Sequence, residues 1–398
     1  MTTAPVRQLD EPSGPAISTA MPVVFDARVV TGTGGGPDKT ILNSPRFLTP
    51  HGYRMLCGYL YPPDDPGFAE IERKAARYSA PLIAIPDRSP WDWRIVSQLL
   101  DVLRRERVAI WHGHDYKTNA LGLLLKRFHR MRLVTTVHGW GVQQSMRTAL
   151  YYRLDRACLP RYERVFCVSE DLYAICRRCG VSAKRLVLLE NAIDLGEYTR
   201  SRSVESAKRA LGFDPARWLI GAVGRLSPEK GFDILLRSVK ELIVRGRNVE
   251  VVLVGEGDDR PRLEALTREL GLTDRVRLTG WQSDVRGYYE SMDLFALSSF
   301  REGLPNALLE AMALEVPAVA TRIAGVPRLI RDGETGWLVE PHDVAGLTHA
   351  LDTMLTTPAI RDRSRLAARR WLEERYSFPA RMRTMAAVYD DLLSGVAL

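Results

Sequence analysis

From Met21 onward the chain alternates short apolar runs with longer stretches of helical patterning, and this alternation restricts the fold more than any other feature. Runs near 21–27, 54–61, 81–85, 108–111, 133–137, 165–168 and 186–189 read as buried strands. So do 218–223, 249–254, 276–279, 294–299, 317–320 and 336–339. Helical patterns fall between most of them, at 38–48, 92–105, 118–128, 145–159, 261–270, 285–291 and 306–314, and after Ser169, which suits an N-cap. Further helices are expected over 343–355, 360–375 and 379–393. Strand–helix alternation at this pitch predicts parallel, doubly wound sheets. A chain of 398 residues exceeds one ordinary core, so two domains are expected. The expected divisions are a mobile tail over 1–20, a first domain over 21–195 and a second over 196–376. The segment 196–206 would open the second domain as a linker, and 377–398 would form a final helix.

Chemistry concentrates where strands end. In the second half, the run at 294–299 leads into Phe300-Arg-Glu-Gly-Leu-Pro-Asn306, and a helix follows. Gly303 permits a tight turn, and Pro305 suits a first helical position, where no N–H is needed. The free N–H groups of that helix start favour an anion. Glu302 and Glu310 flank it, and carboxylates accept hydrogen bonds from paired hydroxyls. Phosphate donors beside hydroxyl acceptors point to a sugar nucleotide. Upstream, Gly224-Arg-Leu-Ser-Pro-Glu-Lys-Gly231 sets Arg225 and Lys230 on either side of a helix-opening turn. A fork-shaped cation and a point charge can together neutralise a diphosphate. In the first half, Thr31-Gly-Thr-Gly-Gly-Gly-Pro37 follows a strand, but the dinucleotide pattern G-x-G-x-x-G fails at Pro37. The glycines still allow close backbone approach to a ligand. His112, His114, Asp115 and His138 fall at strand ends, the functional edge of such sheets. Their spacing lacks a tight His-x3-His pattern, so no metal site is expected.

At these motifs the chain resembles a known family. Glu302-x7-Glu310, set between Ser298-Ser-Phe-Arg-Glu-Gly-Leu-Pro-Asn306 and Glu310-Ala-Met-Ala313, is similar to the E-x7-E signature of retaining GT-B glycosyltransferases of family 4. The likeness extends over nearly all of residues 21–395 and is strongest over 218–340. It implies an α/β fold of the GT-B type: two Rossmann-like, doubly wound parallel-sheet domains facing a central cleft, with the last helix crossing back to the first. It implies that Arg225 and Lys230 stabilise the departing nucleoside diphosphate, that Glu302 orients the sugar hydroxyls and that Glu310 holds the ribose. Gly303 and Leu304 would contribute the loop, and the base would sit near Gly280. Across the cleft, Gly35 and Gly36 would face the donor phosphate and sugar. Thr136-Val-His-Gly139 resembles the family's strand-end His-Gly, which makes His138 a donor-sugar contact. Asp115-Tyr-Lys-Thr-Asn119 would line the acceptor side. The family implies retention of anomeric configuration, no cofactor beyond the nucleotide-sugar donor and no required metal. Two departures stand out: Ala192 and Glu315 occupy positions where glycine is usual.

Bulk properties bound the partners. Residues 101–190 hold 17 basic and 8 acidic side chains, whereas the rest of the chain is nearly balanced, so the net charge of +8 comes from that stretch. Lys126, Arg127, Arg130 and Arg132, then Tyr151, Tyr152, Arg153, Arg156, Arg161, Tyr162 and Arg164, suit an anionic membrane surface. Nucleic acid is not expected, because no RNA- or DNA-binding motif accompanies the charge. No apolar run reaches membrane-spanning length and no signal-peptide core is present, so the chain is expected in the cytoplasm, with the basic stretch either meeting the inner membrane face or forming an ordinary solvated surface. The five scattered cysteines, including Cys176-Arg-Arg-Cys179, read as free thiols. The expected activity is sugar transfer to a glycan or lipid-linked acceptor in bacterial surface polysaccharide assembly. A nucleotide-sugar epimerase of the same fold and a non-catalytic nucleotide-sugar-binding protein are the alternatives. A nicotinamide oxidoreductase is disfavoured by the failed glycine pattern.

Overall fold

The computed structural model describes residues 7–8, 21–89, 92–140 and 146–395. The chain forms two compact units, Met1–Asn191 with Phe378–Leu398, and Ala192–Ser377. The tail expected over 1–20 lies outside the described residues except for Arg7–Gln8, which form a two-residue strand, β1. The start of the fourth expected helix, Ser145, also lies outside them.

The first unit is built on β2 (Val23–Val29), β3 (Arg54–Tyr61), β4 (Leu82–Pro86), β5 (Val108–Gly113), β6 (Arg132–Val137), β7 (Arg164–Cys167) and β8 (Leu186–Leu188). Their order is β1-β4-β3-β2-β5-β6-β7-β8. Every pairing is parallel except β1 with β4. Val24 lies opposite Met55 on one side and Ile110 on the other, which places β2 at the centre. The winding reverses between β2 and β5, and such a reversal opens a crevice at the carboxyl ends of the two strands. Central strands are buried on both faces. Phe25 of β2 is fully buried and stacks on Trp111 of β5 at 5.4 Å between ring centroids. Helix Phe68–Tyr78, not anticipated from the sequence, packs Phe68, Ile71, Ala75 and Tyr78 inward. That stripe is only four residues wide and is broken by Glu72-Arg-Lys74, which hid it. Helix Phe378–Leu393 belongs to this unit and contributes buried Met382, Met385, Tyr389 and Leu392.

The second unit is built on β9 (Trp218–Val223), β10 (Val249–Val254), β11 (Val276–Leu278), β12 (Leu294–Leu297), β13 (Ala318–Thr321) and β14 (Trp337–Val339). The order is β11-β10-β9-β12-β13-β14, all parallel. This is the doubly wound dinucleotide-type order, with its reversal between β9 and β12. All six residues of β10 are buried, consistent with its unbroken apolar run. One core lies around Phe295, Leu308 and Met312, and a second around Leu235, Leu253 and Leu351, which covers both faces. Part of the expected 196–206 linker is helical: Val204–Ala210 is capped by Ser203, and its Lys208 is buried and paired with Asp293 at 2.5 Å. Glu315 adopts φ = 54°, the left-handed conformation for which glycine is usual, and pairs with Arg365 at 2.7 Å. At Ala192 the chain is held by the next residue, Ile193, whose N–H donates to the Tyr376 carbonyl at 2.8 Å.

Candidate functional site

In the second unit, the loops after β9 and β12 meet at the winding reversal. After β9 the chain turns through Pro228–Lys230, and Gly231 then starts helix Phe232–Val244 in a left-handed conformation, φ = 60°. A Cβ at Gly231 would lie 2.1 Å from the Ser298 carbonyl oxygen, so only glycine lets the two loops come this close. The approach is tied by Phe300 N–H to the Glu229 carbonyl at 2.7 Å and by Ser298 Oγ to the Lys230 carbonyl at 3.1 Å. It brings Lys230 Nζ to 2.6 Å from Glu302 Oε1, which also accepts from Ser299 Oγ at 2.7 Å. Arg225 stands apart from this pair. Its guanidinium is mostly exposed and contacts Glu229 at 3.1 Å.

Helix Asn306–Ala313 follows. Pro305 lies one position earlier than expected: it is the cap, with extended ψ = 115°, and its carbonyl accepts from Leu308 and Leu309 N–H at 3.2 Å. The N–H groups of Gly303, Leu304, Asn306 and Ala307 donate to no described residue, so this helix start offers donors to an anion. Glu310, about a turn inside the helix, is fixed from two sides. Tyr198 Oη donates to Oε1 at 2.9 Å and Tyr289 Oη to Oε2 at 3.1 Å. Burial and the Glu310 charge push the Tyr289 phenol well above its ordinary value, so it remains a donor. Gly280, after β11, bridges to Gly255 after β10, with Trp281 exposed beside it.

In the first unit, Gly35 is the cap and Gly36 the first residue of helix Gly36–Leu48, two residues before the expected start. Asp38 folds back to Gly35 N–H at 2.6 Å and pairs with Arg28 on β2. His112 and His114, from the end of β5, form a buried cluster with Asp26 of β2, and half-buried His138, just past β6, joins it. His112 Nδ1 contacts Tyr389 Oη and its Nε2 contacts Thr136 Oγ1, both at 2.7 Å. His114 Nδ1 lies 2.8 Å from His138 Nε2, and its Nε2 is bonded to Asp26 Oδ1. Burial pushes His112 down to about 3, drives His114 and His138 well below the usual imidazole range, and raises Asp26 to about 6. Asp26, His112 and His114 bring metal-ligand atoms within 4.8 Å of one another. All four ring nitrogens of the two histidines also make hydrogen bonds within the unit.

His138 and Gly139 line a cavity of about 230 Å³ together with Arg28, Pro37, Tyr116 and Tyr152. Of the stretch expected on the acceptor side, Asp115, Tyr116 and Asn119 also border it. Lys117 instead turns to Asp87 at 2.6 Å. Asp115 is the cap of helix Tyr116–Leu125, accepting from Lys117 and Thr118 N–H at 3.0 Å. Sequence reasoning missed Asp26, Arg28, Tyr198 and Tyr289. Asp26 and Arg28 had a signal, since charges inside the apolar run Val23–Val29 require buried partners. The tyrosines had none.

The basic stretch is partly absorbed by the fold. Tyr162 is fully buried, Tyr151 stacks on Tyr116 at 4.3 Å, and Arg156 lies over Trp140. Arg132, Arg161, Lys184 and Arg185 border a separate cavity of about 560 Å³. All five cysteines are free, as expected. Among the described residues no helix is long and apolar enough to cross a membrane.

Comparison with known proteins places these observations. Residues 217–357 match the family described as "Glycosyl transferases group 1", and residues 35–197 match "Glycosyltransferase Family 4". Alpha-D-kanosaminyltransferase of Streptomyces kanamyceticus is 34% identical over 309 residues, 73% of this chain and 79% of that one. Lipopolysaccharide core biosynthesis glycosyltransferase LpsD of Rhizobium meliloti is 32% identical over 216 residues, 54% of this chain, and the match spans 60% of LpsD. The crystal structure of Anabaena HepE in complex with UDP superposes with a TM-score of 0.77 at 18% identity, covering 93% of this chain and 100% of HepE.

Proposed function

Because the chain belongs to the family 4, group 1 glycosyltransferases and has their GT-B fold, we propose that it transfers a sugar from a nucleotide-activated donor to a glycan or lipid-linked acceptor. The proposed reaction retains anomeric configuration, requires no metal and serves cell-surface glycan assembly, with the enzyme on the cytoplasmic side and peripheral to the membrane. The observation that carries the reading is the meeting of Lys230 with Glu302 at the winding reversal, above the unpaired helix start that leads to Glu310.

Each part then has a chemical task. As the glycosidic bond breaks, negative charge grows on the diphosphate. Lys230 and the N–H groups after Glu302 offer it preorganised donors, and Arg225 is free enough to swing onto it. Losing one such donor typically costs about 2.7–4 kcal/mol of barrier. Glu302, oriented by Lys230 and Ser299, accepts from sugar hydroxyls. Glu310, held by two phenols, is the proposed acceptor for a ribose diol. In the first unit, the family resemblance makes His138 the proposed sugar contact and Gly35 and Gly36 the proposed phosphate contacts. The names of the relatives supply the surface-glycan context: LpsD is a lipopolysaccharide core enzyme.

Ligand-induced stabilisation tests the donor site. UDP-, GDP- and ADP-sugars are scanned against the wild type and against Arg225→Ala and Glu310→Ala. One nucleotide at about 100 times its dissociation constant is expected to add roughly 2.7 kcal/mol, with the shift lost in both variants. No shift with any nucleotide, or equal shifts in the variants, would overturn the assignment. Product analysis with and without acceptor separates transfer from epimerisation.

A further inference from the structure

His138 is the cavity end of a three-residue chain. Asp26 lies in the middle of β2, His114 one residue past β5 and His138 one residue past β6. The Asp26 and His114 side chains are only 3% and 4% exposed, so neither reaches solvent. His114 Nε2 bonds to Asp26 Oδ1, and His114 Nδ1 lies 2.8 Å from His138 Nε2. His138 lines the cavity, and its Nδ1 has no hydrogen-bond partner among the described residues. The neighbouring His112 differs. It stacks on His114 at 4.6 Å, but both its nitrogens end on groups inside the unit, Tyr389 and Thr136.

The donor–acceptor rules leave this chain one arrangement when Asp26 is ionised. A carboxylate only accepts, so His114 Nε2 carries a proton and donates it. Both imidazoles are held neutral by burial, so His114 Nδ1 is bare and can only accept. His138 Nε2 then carries the proton, and His138 Nδ1 is bare. We propose that Asp26 and His114 are positioning residues that lock His138 in its Nε2–H tautomer, so that it presents a hydrogen-bond acceptor to a sugar hydroxyl in the cavity rather than a donor to an anion. That His138 meets a sugar rests on the functional reading above; the tautomer does not.

Protonating Asp26 reverses the chain. A neutral carboxyl donates to His114 Nε2, His114 Nδ1–H donates to His138 Nε2, and His138 Nδ1–H now faces the cavity. One proton is taken up and two change nitrogens. Asp26 is raised to about 6 by burial, opposed by His112, Arg381 and Arg28; Cys57, Tyr59 and Tyr389 also face it. The reversal is therefore expected as pH falls through about 6.

Long-range 1H–15N correlation spectra of the full chain labelled with 15N-histidine read the tautomer directly, with His138 assigned from the signals lost in His138→Gln. At pH 7.5 the wild type is expected to show a single Nε2–H form at His138. His114→Leu should release it into a mixture and lower kcat/KM for transfer about 10²-fold, as misplacement of a contact group can. His114→Gln, whose amide can accept from His138 and donate to Asp26, should keep the tautomer and most of the rate. An Nδ1–H or mixed wild-type signal at pH 7.5, or an unchanged tautomer in His114→Leu, overturns the proposal. The wild-type spectrum decides even where a variant fails to fold. A locked Nε2–H form in a chain that transfers no sugar would uphold the positioning and defeat the functional reading instead.

Discussion

His112 shows what burial does to a single side chain. Its imidazole sits at about 3 because desolvation penalises the charged form, while its unfolded value is near 6.5. A depressed base contributes stability that is fully present above about pH 6.5 and is lost as pH falls toward 3, at up to about 1.4 kcal/mol per unit. His114 and His138 are depressed in the same direction. Asp26 acts oppositely: raised from 3.8 to about 6, its contribution is full below 3.8 and lost as pH rises through 6. Within this cluster three imidazoles outweigh one carboxyl, so its contribution to stability should fall between pH 6.5 and 4. His112→Gln should flatten that slope relative to wild type in urea midpoints measured across the range. An unchanged slope would show that His112 is not held neutral. At this scale the sequence exposed the candidates by type and place, because His112 lies at the end of a strand and His114 and His138 follow strands. It could not show which nitrogen meets which partner, because Asp26 and His138 are 112 positions apart along the chain and joined only through a third residue.

At the scale of elements, the geometry of the proposed donor site depends on two loops tied at one glycine. Gly231 is left-handed and lies under the Ser298 carbonyl. A left-handed conformation costs an L-residue about 1–2 kcal/mol, and forced overlap adds roughly 1–3. Gly231→Ala is therefore expected to destabilise the protein by about 2 kcal/mol or more in urea unfolding. It should also weaken nucleotide binding, because pushing the loops apart separates Lys230 from Glu302. Retained binding at wild-type affinity would mean that the loop contact does not align the pair. The strands were legible as apolar runs, and so were most helices. Phe68–Tyr78 and Val204–Ala210 were not, since their buried stripes are short and set among charges. Glu315 is the converse case: the resemblance marks the position for glycine, and the left-handed turn forms with glutamate in place.

At the scale of the whole molecule, the chain returns to its first unit at the end. Helix Phe378–Leu393 buries Phe378, Met382, Met385, Tyr389 and Leu392 there, and Tyr53 Oη bonds to Asp390 at 2.6 Å. Five such side chains at about 1.5–3 kcal/mol each approach the whole stability of a domain, about 5–15 kcal/mol. Ending the chain after Ser377 should therefore unfold the first unit, seen as lost near-ultraviolet dichroism. Nucleotide-induced stabilisation should persist, because Arg225, Lys230, Glu302 and Glu310 all lie in the second unit. Loss of both signals together would show that the second unit does not hold its donor site alone.

By itself the sequence determined the class of fold, since alternation at this pitch has few packed solutions. It also showed the loop of the proposed donor site as one local motif, because the turn, the helix start, Glu302 and Glu310 fall within about a dozen positions. Tertiary structure alone decided how those residues are held. Tyr198, before β9, and Tyr289, in helix Arg286–Ser291, reach Glu310, and Asp26 reaches His138 through His114 because β2, β5 and β6 lie side by side; hydrogen bonding depends on distances in space that sequence separation does not encode.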